Sequence, residues 1–362
     1  MQIAYVIGAR PNIVKIAPVL AAARRRLPDA RHVVIHTGQH YDVAMSAAIL
    51  ADLAMPAPDH FLGVGSGSVA TQTARALTRL EGVLQEVSPE LVVVSGDVTS
   101  TLATALVCAQ LRIPYAHVES GLRSFDRTMP EEINRIVADE FADLLFVHSA
   151  DAVENLLREG IESDRIHFVG NTMIDSLVAV RERVDARSLA HELGLEPRRY
   201  LLVTLHRPAL VDGPLLFDAL DRLQTVAREL PVIFPAHPRT RKRLGERRWQ
   251  GVLVTEPFGY IDFLSLEADA AAVLTDSGGV QEETTFLGVP CFTLRDNTER
   301  PVTVTAGTNT LLGLDPERID DLLPALAARR SSPGELPELW DGHAGGRVAA
   351  VLDNHLSPLV VR

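Results

Sequence analysis

Short apolar, β-branched runs alternate with longer stretches of helical spacing along nearly the whole chain. This alternation predicts βαβ units and parallel sheets. In the first half the predicted strands are Ile3–Gly8, His32–Thr37, Leu91–Ser95, Tyr115–Glu119, Leu144–His148 and His167–Val169, with helical segments such as Val14–Arg26, Val69–Glu86 and Thr99–Leu111 between them. The run Tyr200-Leu201-Leu202-Val203-Thr204-Leu205 restarts the pattern, followed by Val232–Phe234, Val252–Thr255, Ala272–Thr275 and Cys291–Leu294. Two sheets of five or six strands fit the usual sheet size better than one large sheet. The polar helical stretch Gly170–Arg199 is the natural boundary, and it reads as a structured hinge because it is not Gly/Ser-rich.

Length and composition narrow the class. A chain of 362 residues suggests two domains. With 46% hydrophobic and 23% charged residues it is neither disordered nor fibrous. Apolar stretches such as Leu91–Val94 are far too short to span a bilayer. The opening Met1-Gln2-Ile3-Ala4-Tyr5-Val6-Ile7-Gly8 has no basic leader and reads as a strand, so a cytoplasmic location is expected. A net charge of −12 lacks the basic footprint of a nucleic-acid binder. Cys108 and Cys291 each sit in an apolar run, as core residues do, with no partner at metal-ligand spacing. Gly63–Ser68 superficially resembles a phosphate loop, but no Lys follows it and no clean strand leads into it. A flexible surface loop is the expectation there.

Parallel sheets bind ligands beyond the carboxyl ends of their strands, so the residues just after each apolar run carry the chemical information. After the first strand come Gly8-Ala9-Arg10-Pro11-Asn12 and Lys15, cations flanking a helix start, as a diphosphate site or a solvated helix end would have. Gly96-Asp97 follows Leu91–Ser95, and Asp97 reads either as a helix cap or as a functional acid. Glu119 and Arg123 follow the next strand, and Pro130-Glu131-Glu132 opens a helix. Acids in a first turn often only complement the helix dipole, but three carboxylates at one sheet mouth can divide acid and base roles. In the second half, His206-Arg207-Pro208 ends a strand, and the weaker Pro235-Ala236-His237-Pro238-Arg239 ends another. Thr275-Asp276-Ser277-Gly278-Gly279 runs from strand into helix with exposed amides suited to an anion, and Arg295 and Arg300 bracket Asp296-Asn297-Thr298-Glu299 as oxyanion binders or a salt-bridge network.

Taken in order, these blocks, with Thr37-Gly38-Gln39-His40, His117-Val118-Glu119-Ser120-Gly121-Leu122-Arg123, Pro130-Glu131-Glu132-Ile133-Asn134-Arg135, Gly170-Asn171-Thr172, Asp276-Ser277-Gly278-Gly279-Val280-Gln281-Glu282-Glu283 and Arg295-Asp296-Asn297-Thr298-Glu299-Arg300-Pro301, resemble the non-hydrolysing UDP-N-acetylglucosamine 2-epimerases. The resemblance implies two Rossmann-like, doubly wound α/β domains of GT-B type with an interdomain active-site cleft. It places the N-terminal domain at 1–172, the UDP-binding domain at 173–345, and a final helix at about 346–362 packing back on the first. It implies reversible interconversion of UDP-GlcNAc and UDP-ManNAc by anti elimination of UDP to 2-acetamidoglucal and syn re-addition, with no metal, no other cofactor, and a homodimer. Asp97, Glu119 and Glu131 match the catalytic carboxylates and His206 the catalytic histidine. Arg10, Ser277, Gly278 and Gly279 match diphosphate positions, Glu283 the ribose site, Phe263 the uracil site, and Lys15 and Arg300 further active-site cations. Arg123 is counted with the ligand-binding residues. Arg10, Lys15, His206 and Arg300 would then form a small positive focus inside an acidic protein.

The chain also departs from the family pattern. The loop from Glu119 to Glu131 is two residues shorter than in common bacterial members, a His-Arg-Arg-Glu run becomes His206-Arg207-Pro208-Ala209, and a Gln-rich segment becomes Tyr41-Asp42-Val43-Ala44-Met45. The last two regions belong to a second, allosteric UDP-GlcNAc site in bacterial members, so loss or alteration of that activation is expected. A hydrolysing epimerase and a GT-B glycosyltransferase are the competing readings.

Overall fold

Every residue of Leu91–Ser95 is buried, as required of a strand covered on both faces, and such strands read as unbroken apolar runs. In a computed structural model, which describes residues 1–38, 43–329 and 335–360, the chain divides into two units, Met1–Ala179 with Glu338–Arg362 and Val180–Pro337. Gln39, His40, Tyr41 and Asp42 of the family blocks lie outside the described residues.

The first unit holds strands β1 (Gln2–Ile7), β2 (Arg31–His36), β3 (His60–Phe61), β4 (Leu91–Ser95), β5 (Tyr115–Val118), β6 (Leu144–Val147) and β7 (Ile166–Phe168). They pair in the order β3-β2-β1-β4-β5-β6-β7, all parallel. The second holds β8 (Leu201–Thr204), β9 (Val232–Pro235), β10 (Val252–Thr255), β11 (Ala272–Thr275), β12 (Cys291–Thr293) and β13 (Asn309–Leu311), also parallel, in the order β10-β9-β8-β11-β12-β13. Each order reverses beside the unit's first strand, the doubly wound Rossmann-like pattern, and ligands in such sheets bind at that switch point. Here the switch points lie between β1 and β4 and between β8 and β11.

The sheet of seven strands exceeds the expected five or six by β3, a two-residue edge strand. Helix 10–26 begins at Arg10 rather than Val14, because Pro11 suits a first turn and Asn12 Oδ1 accepts the Ala9 amide. The segment Gly63–Ser68 is a loop, as expected, but not a loose one. Arg75 donates to the carbonyls of Val64 and Ser66, and Ser68 caps the following helix.

On the first sheet, one face packs Ala4, Val6, Val33, Ile35, Val92 and Val94 against Leu80, Leu84 and Val107. The second sheet is covered on both faces, by one cluster around Leu201, Leu220 and Phe234 and another around Tyr200, Leu202 and Leu266. Both cysteines are free and buried. Among the described residues no helix is long and apolar enough to cross a membrane.

The first unit continues past residue 172 for a physical reason. Pro18 lies inside helix 10–26 and cannot donate to the carbonyl four residues earlier. Ser176 Oγ donates to that Val14 carbonyl instead, at 2.5 Å. Beside it, Asp175 accepts the amides of Ala344 and Gly345 at 3.0 and 2.7 Å, which caps the final helix, Ala344–Val360. That helix packs on helix 10–26.

Candidate functional site

In the first unit, the ends of β1, β4 and β5 bring three sequence blocks together. Asn12 Nδ2 donates to the Ser95 carbonyl at 2.5 Å, which ties the helix after β1 to the end of β4. Lys15, one turn further on, is buried and ion-paired with the buried carboxylate of Glu119. Glu119 sits just past β5 in the left-handed region, at φ +66°, an uncommon conformation for a residue with a Cβ. Gly96 has φ +70°, and a Cβ there would stand 3.3 Å from Glu119 Oε2 and 3.6 Å from Lys15 Nζ. The glycine therefore both turns the chain and leaves room for the ion pair.

Asp97 does not cap the next helix, whose N-cap is Val98 with no side-chain cap bond. Its carboxylate instead accepts from Arg135 Nη2 at 2.7 Å, and its carbonyl from Asn134 Nδ2 at 2.8 Å. Arg135 is buried and also donates to Glu132 Oε2 at 2.5 Å. Glu132 in turn accepts the amides of Ser124 and Phe125, each at 2.9 Å. The two neighbouring acids thus part company. Glu132 is a buried organiser of the loop, and Glu131 is exposed at the start of helix Pro130–Phe141.

Arg123 departs from the expectation of a ligand-facing cation. Its guanidinium is buried and donates to Asp139 at 2.6 Å, to both carboxylate oxygens of Glu159 at 2.7 and 2.5 Å, and to the Leu122 carbonyl. Asp139 also meets His117 Nδ1 at 2.7 Å, while His117 Nε2 faces the Gly96 carbonyl at 2.8 Å. Burial would push the Asp139 carboxyl up, but the bonds and charges of His117 and Arg123 outweigh it and hold the group below the ordinary range. Through His117 this network is tied to the Gly96 turn. Arg10 stands half-buried on the first turn of its helix, at the same sheet end.

In the second unit, β8 and β11 pair as far as Thr204 and Thr275, which sets His206 beside Asp276. His206 Nδ1 lies 2.8 Å from Asp276 Oδ1. Asp276 also accepts the backbone amides of His206 and Arg207, each at 2.8 Å to Oδ2. After Asp276 the chain enters helix Gly278–Leu287, with Ser277 at its N-cap making no side-chain cap bond. Gly278 and Gly279 open that helix, and Glu283 lies buried one turn on.

Arg300 is buried beneath this turn. Its Nε donates to Glu282 at 2.8 Å and its Nη1 to Glu299 at 2.7 Å. A Cβ on Gly278 would overlap Arg300 Nη1. Glu299 also accepts from Arg295 at 2.6 Å and Arg207 at 3.3 Å. Burial would raise the Glu299 carboxyl, but the three guanidiniums hold it well below the usual range. Of the four cations expected to form a positive focus, Lys15 in the first unit and Arg300 in the second are each held in ion pairs. Phe263, on helix Tyr260–Ala268, is partly buried against the Tyr200–Leu266 cluster.

The arrangement offers a buried carboxylate paired with a lysine in one unit, and a histidine with a glycine turn at a helix N-terminus in the other. The latter is suited to an anion such as a diphosphate. A family model for UDP-N-acetylglucosamine 2-epimerase matches residues 22–353. The chain belongs to the UDP-N-acetylglucosamine 2-epimerase family. A UDP-N-acetylglucosamine 2-epimerase of Methanocaldococcus jannaschii is 41% identical over 97% of this chain and 99% of its own length. The Pseudomonas aeruginosa UDP-2,3-diacetamido-2,3-dideoxy-D-glucuronate 2-epimerase is 38% identical over 99% of this chain and all of its own. A crystal structure of the M. jannaschii epimerase in complex with UDP-GlcNAc and UDP has a TM-score of 0.89 at 38% identity, covering 98% of this chain and 100% of that one. A calicheamicin glycosyltransferase, 14% identical with a TM-score of 0.56 over 98% of both chains, shares the fold alone. The epimerase family thus uses the two-domain, GT-B architecture described above.

In the two strand-end clusters the sequence motifs assign no role to Asn12 and Arg135 of the first unit or to Arg207, Asp276 and Glu299 of the second. Arg135 and Glu299 are visible as charges inside the Pro130–Arg135 and Arg295–Pro301 blocks, but sequence does not reveal which partner each one holds.

Proposed function

We propose that the chain reversibly epimerises UDP-GlcNAc at C2 without releasing free sugar. The observation that carries the reading is the Glu119–Lys15 pair, a buried carboxylate held beside Gly96-Asp97 at the first unit's switch point, in a chain that spans the full length of an epimerase relative. The C2 proton of the sugar is not acidic, so direct abstraction and return would be slow. Elimination avoids this: a carboxylate among Asp97, Glu119 and Glu131 takes the C2 proton, the C2–H electron pair forms the C1=C2 double bond, and the C1–O bond breaks with its electrons leaving on UDP. Re-addition of UDP to the 2-acetamidoglucal, with a proton delivered to the opposite face of C2, completes the epimerisation.

In this reading the second unit holds the nucleotide. Ser277, Gly278 and Gly279 offer amides to the diphosphate, His206 donates to it, Glu283 takes the ribose hydroxyls and Phe263 lies toward the uracil. Arg10 adds charge from the first unit. Arg300 acts as the strut under the glycine turn. No metal or cofactor is required, and the resemblance extends the reading to a homodimer, which light scattering checks.

Incubation with UDP-GlcNAc in deuterated water, followed by NMR, tests the proposal. Deuterium at C2 of both UDP-sugars without free sugar is the expected result. Free ManNAc with an equal amount of UDP would instead support a hydrolysing enzyme, and an unchanged substrate a glycosyltransferase. The P. aeruginosa relative favours a second reading, the same chemistry on a 2,3-diacetamido uronate. Running that UDP-sugar in parallel decides which substrate has the higher kcat/KM.

A further inference from the structure

The last paired residues of β8 and β11 are Thr204 and Thr275, and Asp276 N donates back to the Thr204 carbonyl at 3.2 Å. Two residues beyond Thr204, His206 therefore faces the side chain of Asp276. That carboxylate is fully buried and receives three donors from two residues: the His206 amide, the Arg207 amide and the imidazole Nδ1. The imidazole itself is 52% exposed. A ring whose Nδ1 meets a buried carboxylate turns Nε2 the other way, toward solvent. Arg207 is locked in the same knot, with its Nε on the Asp276 carbonyl at 3.0 Å and its Nη2 on Glu299.

From this geometry we infer that Asp276 is a positioning residue for His206: it holds the Nδ1 proton and aims Nε2 outward, so that the imidazolium, protonated on both nitrogens, donates from Nε2 to the departing diphosphate. The same division of labour, a buried carboxylate orienting an imidazole and fixing its tautomer, operates in hydrolases with a Ser-His-Asp triad. What the ring does depends on the epimerase reading, but the tautomer and its fixation do not. Partial burial disfavours the imidazolium, and of the charged groups acting on the ring Asp276 attracts while Arg207 and Arg295 repel. The Asp276 charge and hydrogen bond outweigh the burial and both guanidiniums, so His206 is held above its ordinary value.

The alternative is that Asp276 merely fastens two backbone amides. Nitrogen-15 NMR of the histidine-labelled protein, with His206→Gln to assign the resonance, separates the two and needs no Asp276 variant. The expected result is a neutral form protonated on Nδ1 and a titration midpoint above the usual value near 6.5. A neutral form protonated on Nε2, or a midpoint below that value, overturns the inference. In Asp276→Asn, kcat is expected to fall ~10–10²-fold with KM within about threefold, within the range of acid–base and orienting losses. The alkaline limb of its kcat profile should move to lower pH, since the imidazole loses its proton more readily without the charge. Added to His206→Gln, Asp276→Asn should lower kcat no further. A folded Asp276→Asn protein with an unmoved alkaline limb overturns the inference. If the wild type turns over no UDP-sugar, the epimerase reading fails, while the NMR result still decides the pairing.

Discussion

Arg135 holds the carboxylates of Asp97 and Glu132 in one guanidinium, at 2.7 and 2.5 Å. The block Pro130–Arg135 is thereby a bracket: Glu132 fixes the loop after β5, and Arg135 transmits that fixed position to the Asp97 side chain. A lysine cannot fork to both acids. Arg135→Lys is accordingly expected to lower kcat by ~10²-fold, the usual effect of an ångström-scale misplacement, with UDP binding nearly unchanged. Asp97→Asn should lose ~10²–10⁴-fold if the carboxylate handles a proton. Calorimetric UDP titration alongside steady-state kinetics checks both. Loss of UDP affinity in parallel with kcat would show that Arg135 supports the fold rather than Asp97.

Two glycines should respond in opposite directions to the same substitution. A Cβ at Gly278 would overlap Arg300 Nη1 and stand 3.1 Å from Glu299 Oε1, both held in a buried ion network. Gly278→Ala is expected to destabilise by about 1–3 kcal/mol, as overpacking does, and to weaken UDP binding. Gly82 is exposed inside helix Val69–Val87 with nothing within 4 Å of its would-be Cβ. Gly82→Ala should therefore stabilise by about 0.5–1 kcal/mol. Urea unfolding midpoints measure both shifts, and equal effects would contradict the assigned packing.

Much of this architecture was legible in the sequence because parallel strands buried on both faces must be apolar throughout. Leu91–Ser95 and Ala272–Thr275 are of this kind. Strand β3 offers only His60-Phe61, and β13 only Asn309-Thr310-Leu311, so neither has enough apolar length to stand out. The same limit applies to the site. Residues after strand ends could be located, since topology puts them at the sheet mouth. Their partners could not, because Lys15 finds Glu119 across 104 positions. Arg123 and Glu159 are likewise 36 positions apart, so a structural arginine and a ligand-binding one look alike until the chain is folded.

The Asp139 network predicts a definite pH dependence. Its carboxyl is held below the ordinary range in the folded chain, against burial, by His117 and Arg123. The stabilisation is therefore present above the unfolded value near 3.9 and is lost as the pH falls through the lower folded value. Asp139→Asn leaves Arg123 and His117 short of a buried partner and is expected to lose about 3–5 kcal/mol at pH 7. The variant should also lose less additional stability than the wild type between about pH 5 and pH 3. Unfolding in urea at several pH values gives both curves, and parallel curves would remove Asp139 from the account.

The hydroxyl of Ser176 replaces a bond that Pro18 cannot make. Within helix 10–26 the Val14 carbonyl would ordinarily accept the amide of residue 18, but proline has none. Ser176 donates to that oxygen at 2.5 Å in a fully buried setting. Ser176→Ala should leave a buried carbonyl unsatisfied and destabilise by about 1–3 kcal/mol. In a Pro18→Ala background the helix supplies its own amide, and the same Ser176→Ala change should then be nearly neutral. The double-mutant cycle therefore carries a coupling energy of about 1 kcal/mol or more, within the range found for residues sharing one hydrogen bond. Additive effects in urea unfolding would mean that Ser176 packs against the helix without satisfying it.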